Sequence, residues 1–134
     1  MARHHYLLCR DGALCGRVLI KISTQRGLKS EVDLFIAQAV LQQLCLKENK
    51  TAEDTFETYI THHPNIKQCK TPFYMPLLNF LYFLFRCIEI GRHDAFRTLC
   101  TLYKPSLNRD PAFDKYLTKI GKVLIFFNLH ILCW

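Results

Sequence analysis

The chain has 134 residues and a mass of 15.8 kDa, which is enough for one domain with a real core, and half of its residues are hydrophobic. Because Gly and Pro contribute only five residues each, a disordered, collagen-like or Pro-rich chain is excluded. The net charge of +7 permits acidic proteins, nucleic acid or anionic lipid as partners, but the basic residues form no run and no stacking aromatics alternate with them. We therefore do not expect nucleic-acid binding.

The first 30 residues predict two helices. Residues 2–9 resemble the end of a helix whose beginning is missing, since they show no clear start signal. A second, amphipathic helix is predicted to begin after Asp11 and to end at Gly27, with that glycine in the left-handed conformation. Its apolar residues recur at intervals of three and four: Ala13, Leu14, Val18, Leu19 and Ile22.

The next helix is predicted over residues 31–47. Ser30 followed by Asp33 resembles a capping box, with Asp in place of the usual Glu. The apolar residues of this helix cover more than one face, which indicates that it packs on both sides. They are Val32, Phe35, Ile36, Ala39, Val40, Leu44 and Cys45.

A short helix and the longest irregular segment follow. Thr51 and Asp54 repeat the capping pattern, and the helix is predicted to end near His63, with one face exposed to water. Its single apolar stripe is Phe56, Tyr59 and Ile60. Residues 64–75 contain two prolines and several polar side chains, and they predict a loop that holds either a small hairpin or a binding segment.

Residues 77–90 form the most apolar helix, which is predicted to open at Pro76 and to end at Gly91. One neighbouring helix cannot cover a helix that is apolar nearly all round, so part of it must meet a second layer of the chain or a partner protein. Ordinary core packing is the competing interpretation of its aromatic stripe, Phe80, Tyr82, Phe83 and Phe85.

Two further helices complete the pattern. One is predicted over residues 92–104, where Pro105 stops it, with Phe96, Leu99, Cys100 and Tyr103 on one stripe. The other begins at Asp110 and Pro111, with Phe113, Leu117, Ile120 and Leu124 on one side. No strand-like alternation occurs in the first 120 residues, so we predict an all-α fold of antiparallel helical hairpins. An α-solenoid is favoured over a bundle.

The cysteines and histidines predict neither a disulfide framework nor a metal site. The seven cysteines are odd in number, form no C-x-x-C pair and lie mostly in apolar helical patterns, which indicates a reducing compartment. Adjacent histidines on a helix point about 100° apart and cannot readily hold one ion. Because no Gly-rich phosphate loop or nucleophile elbow occurs, we expect no cofactor and no enzymatic activity.

The chain shows no secretion or lipidation signal, and its longest apolar run, residues 77–90, is too short to span a bilayer. We therefore expect a cytosolic protein. A basic helical nucleic-acid-binding protein is the alternative function that the isoelectric point of about 9.1 leaves open.

Three stretches resemble the Golgi to ER traffic protein 4 family: SEVDLFIAQAVLQQLCLK at 30–47, PLLNFLYFLF at 76–85 and YKPSLNRDPAFDKYLTKIG at 103–121. HHYLLCRDG and STQRGLKSEVD also fit, so the resemblance runs over residues 2–121. It implies a TPR-like solenoid of helical hairpins without enzymatic activity. It also implies an adaptor in the cytosolic pre-targeting complex that delivers tail-anchored proteins to the ER membrane.

The resemblance further implies partners. In the family, the N-terminal half docks the targeting ATPase, and the C-terminal half binds a ubiquitin-like partner in fungi or a BAG-family scaffold protein in animals. This chain resembles the C-terminal half only, so we expect the ATPase contact to be lost. We expect Leu81→Asp or Phe85→Asp to abolish scaffold binding without unfolding the chain. The partner-binding residues implied for this sequence are Phe73, Tyr74, Leu81, Phe85, Ile90, Tyr103 and Arg109.

The tail departs from the family pattern after Gly121. Ten of the twelve residues at 123–134 are apolar, so we divide the chain into a helical solenoid at 1–122 and a divergent apolar tail at 123–134. The tail has the composition of a β-prone, aggregation-prone segment, as translated intron sequence would. A membrane-seeking end is the weaker interpretation, since twelve residues cannot span a bilayer and no direct membrane insertion is expected.

Overall fold

In the computed structural model, which describes residues 11–67 and 70–132 and the side chains as far as residue 125, every regular element is helical. The predicted all-α fold is therefore confirmed. The elements are α1 (Gly12–Arg26), a 3₁₀ turn (Lys29–Glu31), α2 (Val32–Cys45), α3 (Asn49–His62), α4 (Pro76–Ile90), α5 (His93–Leu102), α6 (Lys104–Leu107) and α7 (Ala112–Leu132). The chain divides into a first unit, residues 1–75, and a second unit, residues 76–134.

In the first unit, α3 packs against both α1 and α2. Contact between helices that lie two apart in the chain is typical of stacked hairpins, as in an α-solenoid. The Asp11 carboxylate caps α1 by accepting a hydrogen bond of 3.2 Å from the Leu14 amide. The stripe Phe56, Tyr59 and Ile60 on α3 is buried, as the sequence predicts, while Glu53 and Glu57 on the opposite face are exposed.

The buried face of α1 differs from the predicted one. Leu14, predicted to be apolar core, is half-exposed, and the buried residues are mostly small: Gly12, Cys15, Gly16, Leu19 and Ser23. A Cβ at Gly12 would overlap the backbone at Thr51, and a Cβ at Gly16 would overlap the side chain of Thr58. The two glycines therefore let the backbones of α1 and α3 approach closely, and this contact sets the face of α1.

Helix α1 ends at Gly27, as predicted, but three other predictions about helix ends in the first unit are wrong: the left-handed conformation of Gly27 and the starts of α2 and α3. Gly27 is extended, with φ −95°, and it is a glycine because the ring of Phe35 occupies the space of a Cβ. Helix α2 begins at Val32, directly after the 3₁₀ turn, and its N-cap is Glu31 rather than Ser30. The Glu31 carboxylate accepts a hydrogen bond of 3.1 Å from the Leu28 amide.

The prediction that α2 packs on both sides is confirmed, since its buried residues lie on more than one face.

The third wrong prediction is the start of α3. The helix begins at Asn49, with Glu48 as its N-cap, so that Thr51 lies inside the first turn. The Thr51 carbonyl accepts a hydrogen bond of 2.8 Å from the Thr55 hydroxyl. Both threonines are buried against α1, and packing therefore takes precedence over the capping preference of Thr51.

In the second unit, α5 packs against α4 and α7. Helix α4 begins at Pro76 and ends at Gly91, as predicted. Gly91 has φ 77°, in the left-handed region, and its amide donates a hydrogen bond of 2.9 Å to the Cys87 carbonyl. This turn reverses the chain so that α5 lies alongside α4.

The prediction that Pro105 stops a helix at residue 104 is wrong. Helix α5 already ends at Leu102, and Pro105 lies in the first turn of α6, where its missing N–H is tolerated. Asp110 then caps α7 by accepting a hydrogen bond of 2.9 Å from the Ala112 amide. The predicted buried face of α7 is confirmed at Phe113, Leu117, Ile120 and Leu124.

Helix α7 runs through residue 132 without a break at the predicted boundary between Lys122 and Val123. Residues 123–132 are thus helical despite their β-prone composition. The buried stripe of α7 includes Leu124, so the helical periodicity of the preceding residues continues into this segment.

Candidate interaction surface

A groove of about 500 Å³ lies between α4 and α5 in the second unit and is open to solvent. We call it the α4–α5 groove. Its polar lining residues are Arg92, Asp94 and Thr98, and its apolar ones are Phe83, Cys87, Ala95, Leu99, Leu102 and Tyr103. An open, mostly apolar concavity of this size is the kind of surface that receives a side chain or a helix of another protein.

The groove exists because α4 carries two apolar faces. One face is buried in the core and consists of Leu77, Leu78, Phe80, Leu81 and Leu84. Phe83, Cys87 and Ile90 form a second stripe at intervals of four and three residues, and Phe83 and Ile90 are exposed. Helix α5 covers only part of this second stripe, since Phe83 is still 42% exposed.

Leu102, at the end of α5, is the most exposed apolar side chain of the groove, at 70%. It follows the buried Leu99 by three residues and lies next to Tyr103. The ring of Tyr103 is held against Phe80, with 5.7 Å between the ring centroids, so one wall of the groove is anchored in the core. The groove therefore combines a fixed wall with a projecting aliphatic side chain.

Charged residues stand at the edges of α4 and α5. Arg92 makes two hydrogen bonds to the Asp94 carboxylate, of 2.7 and 3.2 Å, and the pKa of Asp94 is lowered by this partner. Arg86 lies over the ring of Tyr82, at 5.5 Å from its centroid, and pairs with Glu89 at 3.5 Å. These pairs are exposed and add little stability.

Cys87 and Cys100 in the second unit have surroundings that disfavour the thiolate form. Burial raises the pKa of Cys87, and it raises the pKa of Cys100 to about 11. At neutral pH both groups are therefore protonated, and the thiol form is a poor nucleophile. Cys87 contributes apolar surface to the groove, while Cys100 lines a separate cavity of about 640 Å³ among α5, α6 and α7.

The seven residues implied by the family resemblance are placed very differently. Leu81 is 0% exposed and Phe73 is 6% exposed, so the structure contradicts the expectation that Leu81 is open to a partner. Phe73 packs edge-to-face on Phe56, with 6.2 Å between the ring centroids. The other five are at least partly accessible: Tyr74, Phe85, Ile90, Tyr103 and Arg109.

Among the described side chains, Tyr103 is the one residue of these seven that lines the α4–α5 groove. Phe73 and Tyr74 belong to the first unit, while the remaining residues belong to the second. Sequence reasoning missed Leu102, although an apolar residue beside the buried stripe of an amphipathic helix is a signal for an exposed contact. Phe83 was recognisable as part of the aromatic stripe of α4, but its exposure was not.

Among the described side chains, which are those of residues 11–67 and 70–125, no group of three or more His, Cys, Asp or Glu is placed to hold a metal ion. None of the helices in the described part of the chain has both the length and the apolar character needed to cross a membrane.

Comparison with known proteins identifies the family. The family model for Golgi to ER traffic protein 4 matches residues 1–131, and so includes most of the tail that the sequence predicts to be divergent. The Golgi to ER traffic protein 4 homolog A of Xenopus laevis is 47% identical over 128 residues, and the homolog of Homo sapiens is 46% identical over the same length. These alignments cover 96% of this chain and 38% of each relative. The chain thus spans well under half the length of the curated relatives it matches, and it belongs to the Golgi to ER traffic protein 4 family.

Proposed function

We propose that the chain is a non-enzymatic adaptor in Golgi to ER traffic, within the cytosolic complex that targets tail-anchored proteins to the ER membrane. Its task is to bind a BAG-family scaffold or a ubiquitin-like protein. Membership of the family supports the pathway. The α4–α5 groove supports the adaptor role, because it offers an apolar surface that α4 and α5 leave partly uncovered.

The observation that best supports binding at this surface is the exposure of the Leu102 side chain. Burying a leucine or phenylalanine side chain contributes about 1.5–3 kcal/mol, so covering Leu102 and Phe83 together would contribute several kcal/mol to an interface. A few such anchors commonly dominate a protein–protein interface, and the surrounding polar residues mainly exclude water. Arg92, Asp94 and Thr98 are the polar residues that line the groove beside these two apolar side chains.

The partner segment that fits this groove is an amphipathic helix with aliphatic residues along one face. Such a helix would complete the layer that α4 and α5 begin, in the way that a helix lies in the groove of another protein. We do not expect this chain to bind the targeting ATPase, since the family resemblance assigns that contact to the other half of the protein. The function as proposed requires no cofactor.

The proposal is tested by co-purification of the chain with its scaffold or ubiquitin-like partner. Leu102→Asp and Phe83→Asp place a charge in the groove and are expected to lower the amount of partner recovered by at least tenfold. Leu28→Asp is the matched control, because Leu28 is exposed to the same degree, at 68%, but lies in the first unit.

Circular dichroism must show unchanged helix content in all three variants, since the substituted side chains are exposed. Undiminished recovery with both groove variants would contradict the groove as the binding surface. Equal losses with Leu28→Asp would show that added negative charge, rather than the groove, is responsible.

A further inference from the structure

A chain of polar groups joins the three helices of the first unit, and His63 stands at its end. The Nε2 atom of His63 lies 2.6 Å from the Ser23 hydroxyl oxygen on α1. The Ser23 hydroxyl also hydrogen-bonds the hydroxyl of Tyr59 on α3. Tyr59 in turn donates a hydrogen bond of 2.6 Å to the carbonyl of Val32 on α2.

The directions of these hydrogen bonds follow from the two ends of the chain. The Val32 carbonyl can only accept, so Tyr59 donates to it and accepts from Ser23. At the other end, the Asn65 amide donates a hydrogen bond of 3.0 Å to Nδ1 of His63. Nδ1 therefore carries no proton, and the imidazole is neutral, with its single proton on Nε2 pointing to Ser23.

We propose that His63 is a pH-dependent latch: its neutral imidazole fastens the turn after α3 to the side of α1, and protonation at Nδ1 releases that turn. The latch consists of Ser23, His63 and Asn65. A proton on Nδ1 would face the Asn65 N–H across 3.0 Å, so this hydrogen bond cannot survive protonation. The turn it closes also includes the 3.2 Å hydrogen bond from the Ile66 amide to the His63 carbonyl.

The surroundings of His63 oppose the charged form. The residue is 2% exposed, and its burial lowers the pKa of the imidazole. On α3 the titratable neighbour is Tyr59, whose ring centroid lies 4.9 Å from that of His63 and whose pKa is raised by burial. On α2 the buried carboxylate is Asp33, which acts on Tyr59 and raises its pKa further. On α1, Arg26 follows Ser23 by three residues and is exposed.

The C-terminal end of α3 favours a cation at this position, because the helix dipole is negative there. The helix dipole does not compensate for the hydrogen bond from Asn65 that protonation of Nδ1 removes. The direction of the pH effect is thus fixed: a histidine whose pKa is lowered in the closed form stabilises that form at high pH. The stabilisation is lost as the pH falls below the ordinary histidine value of about 6.5.

Hydrogen exchange of the Asn65 amide in the full 134-residue chain tests the latch. After correction for the intrinsic rate, lowering the pH from 7.5 to 5.5 is expected to reduce its protection by about tenfold, if the closed form stays neutral and the open form titrates near 6.5. The same fall is expected in His62→Gln, which removes the exposed neighbouring histidine. In His63→Gln the pH dependence is expected to be less than twofold.

Protection that is unchanged between the two pH values in the unsubstituted chain would overturn the proposal, and so would an undiminished pH dependence in His63→Gln. Should His63→Gln fail to fold, an NMR titration of the His63 ring in the unsubstituted chain decides the matter. A ring pKa below the ordinary value supports the latch, and a value at or above it overturns the latch.

Discussion

The hydroxyl of Tyr59 donates a hydrogen bond of 2.6 Å to the main-chain carbonyl of Val32, and Tyr59 is completely buried. Val32 is the first residue of α2, while Tyr59 lies in the last turn of α3. The bond therefore fixes the beginning of one helix against the end of the next, in a place that water does not reach. A buried acceptor left without its donor carries a desolvation penalty.

Tyr59→Phe is therefore expected to lower the free energy of unfolding by about 1–3 kcal/mol, since it leaves the Val32 carbonyl without this donor. Urea unfolding followed by circular dichroism measures the change. Tyr74→Phe is the control, because Tyr74 is 88% exposed and water can replace its hydroxyl. Equal stability of Tyr59→Phe and the unsubstituted chain would show that the hydrogen bond contributes nothing.

The face of α1 that consists mostly of small residues gives a second prediction. Gly→Ala inside a helix normally stabilises by about 0.5–1 kcal/mol, but at Gly12 and Gly16 the added Cβ would overlap α3. Gly12→Ala and Gly16→Ala are therefore expected to destabilise the chain, with Gly12→Ala the worse because the overlap includes the backbone at Thr51. Leu14→Ala, on the half-exposed side, is expected to change stability far less. A larger loss with Leu14→Ala than with Gly12→Ala would mean that α1 packs by the other face.

Leu81 and Phe83, two residues apart on α4, are expected to respond in opposite ways to the same substitution. Leu81→Asp introduces an unpaired charge at a completely buried position and is expected to cost more than about 4 kcal/mol, enough to unfold much of the chain. Phe83→Asp is expected to keep the helix content, because Phe83 is already open to water. Thermal unfolding of the two variants side by side measures the difference, and similar melting temperatures would contradict the assignment of core and groove.

The nucleic-acid alternative makes a prediction that is simple to check. The net charge of +7 is spread along the chain without a run, so we expect no specific retention of RNA or DNA. Retention on an RNA column at 50 and 200 mM salt measures this. A steep loss of binding between the two salt concentrations would instead indicate several phosphate contacts and would favour the alternative function.

Local signals predicted the second unit well. Pro76, Gly91 and Asp110 have backbone or capping preferences that act within a few residues, so the sequence alone places the start and end of α4 and the start of α7. The stripe of α7 was equally clear because its polar residues mark the other side of the helix.

Features that depend on a distant neighbour could not be predicted. The buried face of α1 is set by Gly12 and Gly16, whose importance appears only when α3 lies against them. On α4, Leu81 and Phe83 are both apolar, and periodicity cannot say which side meets the core when both sides are hydrophobic. For the same reason, the sequence did not show that Leu81 is buried.

The left-handed turn at Gly91 has a consequence for the shape of the α4–α5 groove. The angle between α4 and α5 depends on the turn at Gly91, whose φ of 77° is a conformation that D-amino acids adopt readily. D-alanine at this position would keep the walls in place, whereas L-alanine would strain the turn by about 1–2 kcal/mol. The opening of the groove thus depends on the backbone conformation of one glycine that lies outside the apolar lining itself.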